Sequence, residues 1–225
     1  LLFPTGVKDP FLRVLVPADL DGTARLHAVD LESVDQRFRL RDRFPDRRLW
    51  AWVQDRPAGT GLDAPRDYSL GELPEARLSE AVIDTTVRPG RARVTEAWLR
   101  TLDGDGTERS RRDVAATTDA QSLVATASGG AGGGGGDIVV DAEAGWLAAG
   151  ATFAHPDGRT ESVEVRWMVR SSGGRVEVIG PAFGYRRYEF PNRIAWLQED
   201  VRGRLEADLA GLPAFEPVRR TERFR

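Results

Sequence analysis

Residues 160–170 alternate, and that alternation leaves the backbone little choice. Val163, Val165, Trp167 and Val169 fall on one side of an extended chain, and Glu164, Arg166, Met168 and Arg170 on the other. Turn chemistry brackets the stretch. His155-Pro156-Asp157-Gly158 precedes it, where Pro presets φ and Gly accepts a positive φ, and Ser171-Ser172-Gly173-Gly174 follows it. Residues 146–154 and 175–180, the latter with Val176 and Val178 pointing inward, complete three antiparallel strands in a meander. Such a sheet has one apolar face and needs a cover. The spacing predicts a helix over 192–211 to supply it. Asn192 is the N-cap after Pro191, and Ile194, Leu197, Val201, Leu205 and Leu209 recur at three and four. Gly211 and Pro213 stop it, and Gly203 inside it costs about 1 kcal/mol relative to Ala.

The first part of the chain is also mainly strand by pattern: residues 11–16, 24–30, 36–44, 49–54, 91–102 and 107–116. Asp103-Gly104-Asp105-Gly106 joins the last two as a hairpin. One helix is expected from Pro74 at its first position to about Ile83, with Leu78, Val82 and Ile83 facing in. No long internal repeat is visible, which argues against solenoids and propellers. Residues 128–136 read SGGAGGGGG, with almost nothing to bury and a high cost of ordering. The expected organisation is therefore a strand-rich part at 1–127, a glycine linker or loop at 128–136, a meander plus helix at 137–211, and an arginine-rich tail at 212–225.

Composition excludes several chemistries. Among 225 residues there is no cysteine, so no disulfide scaffold, thiol nucleophile, Cys zinc site or iron–sulfur cluster. Two histidines, His27 and His155, leave little for a metal site or triad, and neither stands beside a G-x-S-x-G, S-x-x-K or H-E-x-x-H signature. No metal and no cofactor is expected. The 32 basic residues include a single lysine, Lys8, against 35 acidic ones; abundant Gly, Ala and Asp make the arginine excess read as genome composition. A net charge of -3 argues against a dedicated nucleic-acid binder. No run of apolar residues is long enough to span a membrane. The chain opens Leu1-Leu2-Phe3-Pro4 and its one methionine is Met168, so the start reads as a trimmed end. The compartment stays open, with a lean toward an extracytoplasmic or membrane-proximal place.

Two glycine motifs reduce to turns and linkers. The G-x-G-x-x-G that begins at Gly130 runs into Asp137-Ile138-Val139-Val140, which reads as strand, whereas a phosphate site needs a helix N-terminus there. The Asp103–Asp105 loop matches part of an EF-hand, but its last ligand position would be Arg112, which repels calcium.

The most suggestive stretch is Arg37-Phe38-Arg39-Leu40-Arg41-Asp42-Arg43-Phe44. As a strand it would set Arg37, Arg39, Arg41 and Arg43 on one face, a ladder able to grip an acidic surface or to sit solvated. The tail adds Arg220 and Arg223 around Phe224. Trp50 and Trp52 share a strand face and suit a core or an aromatic interface. The fold class expected is α+β, strand-rich, with antiparallel β-meanders and a C-terminal helix packed on the last sheet. Two functions stay open. One is a non-enzymatic interaction or assembly module, a subunit of a larger complex. It would turn Arg37, Arg39, Arg41, Arg43, Arg220 and Arg223 toward an acidic protein surface or other subunits, near a membrane surface if any, and not toward nucleic acid. The other is a small-molecule-binding protein or enzyme with a pocket between a curved sheet and the C-terminal helix, where Tyr185, Tyr188 and Glu189 stand first.

Overall fold

Burial with a period of two runs through most of the backbone and sorts it into strands. The chain is seen in a computed structural model that describes residues 2–5, 34–55, 67–114, 121–130, 137–189, 204–216 and 218–221. In chain order its elements are β1 (Leu2–Thr5), α1 (Val34–Arg43), β2 (Trp50–Asp55), β3 (Asp67–Glu72), β4 (Glu75–Leu78), β5 (Glu80–Arg88) and β6 (Arg93–Asp103). There follow β7 (Glu108–Val114), β8 (Gln121–Gly129), β9 (Ile138–Val140), β10 (Gly145–Ala154), β11 (Thr160–Ser172), β12 (Arg175–Glu189), β13 (Arg204–Leu209) and β14 (Val218–Thr221). They fall into two compact units, residues 1–74 with 214–225, and residues 75–213. The glycine run thus lies inside the second unit, between β8 and β9, and not at a boundary between units.

The first unit holds sheet I, ordered β1-β2-β3-β14, in which β1 runs parallel to β2 and the other pairs are antiparallel. Among the described side chains of this unit, Val34, Phe38, Phe44, Leu49 and Leu73 are buried.

The second unit is a sandwich of two sheets. Sheet II has six strands in the order β4-β12-β11-β10-β6-β7, all antiparallel. Sheet III has four, β13-β5-β8-β9, with β8 and β9 parallel. The inner faces meet in a core to which sheet II gives Leu99, Leu147, Ala149, Trp167, Val169, Val176 and Val178, and sheet III gives Ala81, Ile83, Ala127, Ile138, Val140 and Leu209. A smaller core of Val87, Val94, Ala97, Ala151, Phe153 and Val163 continues it. The expected meander is present as β10, β11 and β12, with Val163, Trp167 and Val169 buried inward and Val165 packed against the core. The Gly173-Gly174 turn carries φ of 59° and 72°, the left-handed pair of a type I′ hairpin turn. The Asp103–Gly106 turn also forms, and Asp103 Oδ1 accepts the Asp105 and Thr107 amides at 3.1 and 2.8 Å.

Three expectations are overturned. The helix expected over 192–211 is not found in its described part, 204–211: residues 204–209 form β13 and pair antiparallel with β5. Leu205 and Leu209 are four apart, a spacing that fits both periods, and the exposed Arg204, Glu206 and Asp208 between the inward Leu205, Ala207 and Leu209 select the strand. The helix expected over 74–83 is β4 and β5. Here Ala81, Ile83, Thr85 and Val87 are buried between exposed Glu80, Asp84 and Arg88, and the β-branched run suits a pleated surface. The strand expected over 36–44 is α1, the only helix among the described residues. Arg, Gln and Leu are good helix formers, Asp35 sits in the first turn, and Arg41 and Arg43 in the last complement the dipole. Val34, Arg37 and Phe38, spaced three and four, form its buried side. Among the described residues the fold is therefore strand-rich with one N-terminal helix, and 204–209, expected as part of a C-terminal helix, are a strand. The expected strands over 11–16 and 24–30 lie outside the described residues.

Candidate interaction surface

On the outer face of sheet II the strands bring charged and aromatic side chains into rows that no single segment contains. The register sets Trp98, Gly150, Glu164 and Tyr185 across four strands, with Arg100, Ala148 and Arg166 in the next row. Gly150 has a specific use in this row. A Cβ there would come within 2.5 Å of the Trp98 ring, so the glycine is what lets the indole lie across β10 toward β11. Trp98 Nε1 then donates to Glu164 at 3.2 Å. Arg100 donates through Nε at 2.6 Å and a terminal nitrogen at 3.1 Å, and Arg166 through Nε at 2.8 Å.

Glu164 is 2% exposed. Burial alone would push its carboxyl up, but the Arg100 hydrogen bond, the Arg166 charge and the Trp98 hydrogen bond hold it below the usual glutamate range. Burial likewise works against the charge on Arg100, and its bonds to Glu164 and Glu108 more than offset that, raising its pKa. Arg111 lies 5.0 Å from the Trp98 ring centroid and is itself held by Asp113 at 2.6 Å and Glu96 at 3.0 Å. Arg166 lies 4.7 Å from the Tyr185 ring centroid, and Tyr185 is 49% exposed. The result is a set of guanidiniums held over rings by carboxylates.

The residues named from sequence are dispersed. On α1 the four arginines do not form a ladder, because a helix turns about 100° per residue. Arg37 is buried, so it presents no charge to a partner. Arg39 is 78% exposed in its side chain and paired with Asp35 at 2.8 Å, while Arg41 bonds the Pro45 carbonyl. Arg43 and Arg47 lie 5.9 and 5.6 Å from the Phe44 ring. Arg220 stands opposite Tyr68 in the β14–β3 register, and Arg223 lies outside the described residues. Tyr185 stands opposite Glu164, Tyr188 opposite Glu161, and Glu189 opposite Thr160. Trp50 is half-buried at the start of β2, opposite Glu72, and Trp52 stands opposite Leu70.

His155 lies buried at the turn between β10 and β11. Its Nε2 lies 3.1 Å from Glu161, with both side chains enclosed and Nδ1 without a hydrogen-bond partner among the described residues. Asp157 goes to Arg159 at 2.7 Å. Burial raises the Asp157 pKa, and the backbone and side-chain bonds of Arg159 and its charge bring it below its usual value. His27 lies outside the described residues, which hold no group of His, Cys, Asp and Glu able to ligate a metal. No described helix is long and apolar enough to cross a membrane.

Sequence reasoning placed Glu164 and Arg166 on one strand face but missed Trp98, Arg100, Arg111 and Gly150 as their partners. The hydrogen bond from Trp98 to Glu164 spans 66 residues of chain, and no local pattern reports it. Compared with family models, curated proteins and solved structures, the chain matches none.

Proposed function

We propose that this chain is a non-enzymatic interaction or assembly module, a subunit that meets an acidic protein surface or another subunit of a complex through arginine. The observation that supports this best is Arg166, stacked 4.7 Å from the Tyr185 ring while Glu164 holds it at 2.7 Å, beside a tyrosine left 49% exposed. Arg, Tyr and Trp are the residue types in which interface binding energy concentrates. Ordering a long side chain costs about 0.5–1.5 kcal/mol on binding, and an arginine already fixed in the free protein avoids most of that. A guanidinium can meet a carboxylate through two parallel donors, which an ammonium cannot reproduce. In the first unit the exposed Arg39 and Arg43 belong to the same reading, with Arg41, Arg220 and Arg223; the buried Arg37 does not.

The test is titration of a poly-glutamate peptide against the wild type, against Arg166→Gln/Tyr185→Ala and against Arg39→Glu/Arg43→Glu, with circular dichroism as the folding control. Each variant should bind about tenfold more weakly, and wild-type binding should fall steeply with salt. Equal binding by folded wild type and both variants, or no wild-type binding at low salt, overturns the reading.

A further inference from the structure

The chain leaves the first unit after β3, which ends at Glu72, and re-enters it in β14, which begins at Val218. These strands are antiparallel neighbours in sheet I, with Val218 opposite Leu70, so exit and return stand next to each other. The ends of 75–213 are also together. Gly211 packs so closely on Leu78 that a Cβ there would lie 2.9 Å from its Cδ2. The Ala210 amide donates to the Val82 carbonyl at 2.8 Å, and Leu212 packs on the main core. Pro74 and Pro213 mark the two joints, and neither has an amide to carry a strand ladder across. A segment whose two ends meet can be set into a surface turn of another fold without disturbing either.

What lies between the joints has its own interior. Among the described residues both cores of the sandwich are made within 78–212, and sheets II and III hold every strand from β4 to β13. The sheets are also tied along one side. Arg112 of the edge strand β7 pairs with Asp137 beside β9, and Asp137 accepts the Thr126 amide of β8 at 3.0 Å. Trp98, Arg100, Glu164, Arg166 and Tyr185 all belong to the same stretch.

We infer that residues 75–213 are a self-contained domain inserted between two neighbouring strands of the first unit, and that the Arg166–Tyr185 surface works within it alone. The binding half rests on the function proposed above. Arg39 and Arg43 then form a second, separate attachment point on the same chain.

The full chain with one protease recognition sequence after Pro74 and another after Pro213, cut in the folded state, tests this. Residues 75–213 should separate on gel filtration as a folded, strand-rich species by circular dichroism. They should bind poly-glutamate within about twofold of the intact chain. In the uncut chain, hydrogen exchange should show Phe38→Leu lowering protection in 34–55 and 67–72 alone, and Val178→Ala in 75–213 alone. Unfolding of 75–213 once cut, refusal to separate, or either variant lowering protection throughout the chain overturns the inserted domain. A folded 75–213 that fails to bind where the intact chain binds overturns the self-sufficient surface and leaves the proposed function to the first unit. No binding by the intact chain overturns the proposed function, while the inserted domain stands or falls on cutting and exchange.

Discussion

On the outer face of sheet II, Glu164 is enclosed and accepts hydrogen bonds from Trp98, Arg100 and Arg166. On the outer face of sheet III, Asp84 and Asp208 stand across from each other in exposed positions, with the Arg88–Glu206 pair at 3.5 Å beside them. Both faces arise from the same period-two alternation. They differ in what the neighbouring strand contributes at each row. β10 contributes Gly150 and Ala148 to sheet II, small residues over which long side chains lie and meet. β8 contributes Val124 opposite Asp84, which offers no donor. A carboxylate that is taken out of water and well bonded interacts far more strongly than one in solvent, where exposed pairs are worth about 0–1 kcal/mol. Charge on the outer face of sheet II is therefore tied into the fold, and charge on the outer face of sheet III stands in solvent.

Glu164→Gln breaks the comparison most directly. It keeps the shape but leaves two arginines without their shared carboxylate, so destabilisation of about 3 kcal/mol is expected in denaturant unfolding. Its pH dependence has a definite sign. The folded pKa of Glu164 is lowered, so its contribution is full above the ordinary glutamate pKa and is lost as pH falls through the lower folded value. The wild type should lose stability across that acid window, and Glu164→Gln should show a flatter acid limb. A variant as stable as the wild type at neutral pH would place Glu164 on a par with the sheet III carboxylates.

Gly150→Ala sharpens the steric half of the contrast. The added methyl meets the Trp98 ring at 2.5 Å and must displace the indole from Glu164. A loss of about 1–3 kcal/mol is expected, with a red-shifted tryptophan emission as the ring moves toward water. Unchanged stability and emission would mean that the indole does not rest on β10. The smallest effect belongs to sheet III. Asp208→Asn removes a like charge opposite Asp84 and should raise stability by about 0.2–1 kcal/mol in the monomer at low salt. A measurable loss of stability would show that Asp208 is held as firmly as Glu164.

Local pattern was enough wherever one period excluded the other. Residues 160–170 alternate strictly, with β-branched Val163, Val165 and Val169 beside Trp167 on one face, and β11 follows with that Val and Trp side inward. Asp-Gly-Asp-Gly and Ser-Gly-Gly contain the residues that tight turns demand, and both hairpins stand where the pattern places them. Pattern failed wherever two periods coincide. Leu205 and Leu209 satisfy a helix and a strand equally, and pairing with β5 decides for the strand. Arg37 to Phe44 alternates like a strand, yet Val34, Phe38 and Arg37 also line one side of a helix, and good helix formers fill the remainder.

What the sequence determined by itself is the antiparallel meander, its turns, its inner face and the shortage of thiol and imidazole chemistry, because each depends on residue identity or on neighbours a few positions apart. Which strands lie side by side was settled only in three dimensions. That choice set Trp98 across Gly150 to reach Glu164, and set Asp84 against Asp208. Register between distant segments is decided by burying whole faces together, and a single strand carries no record of the residues it will face.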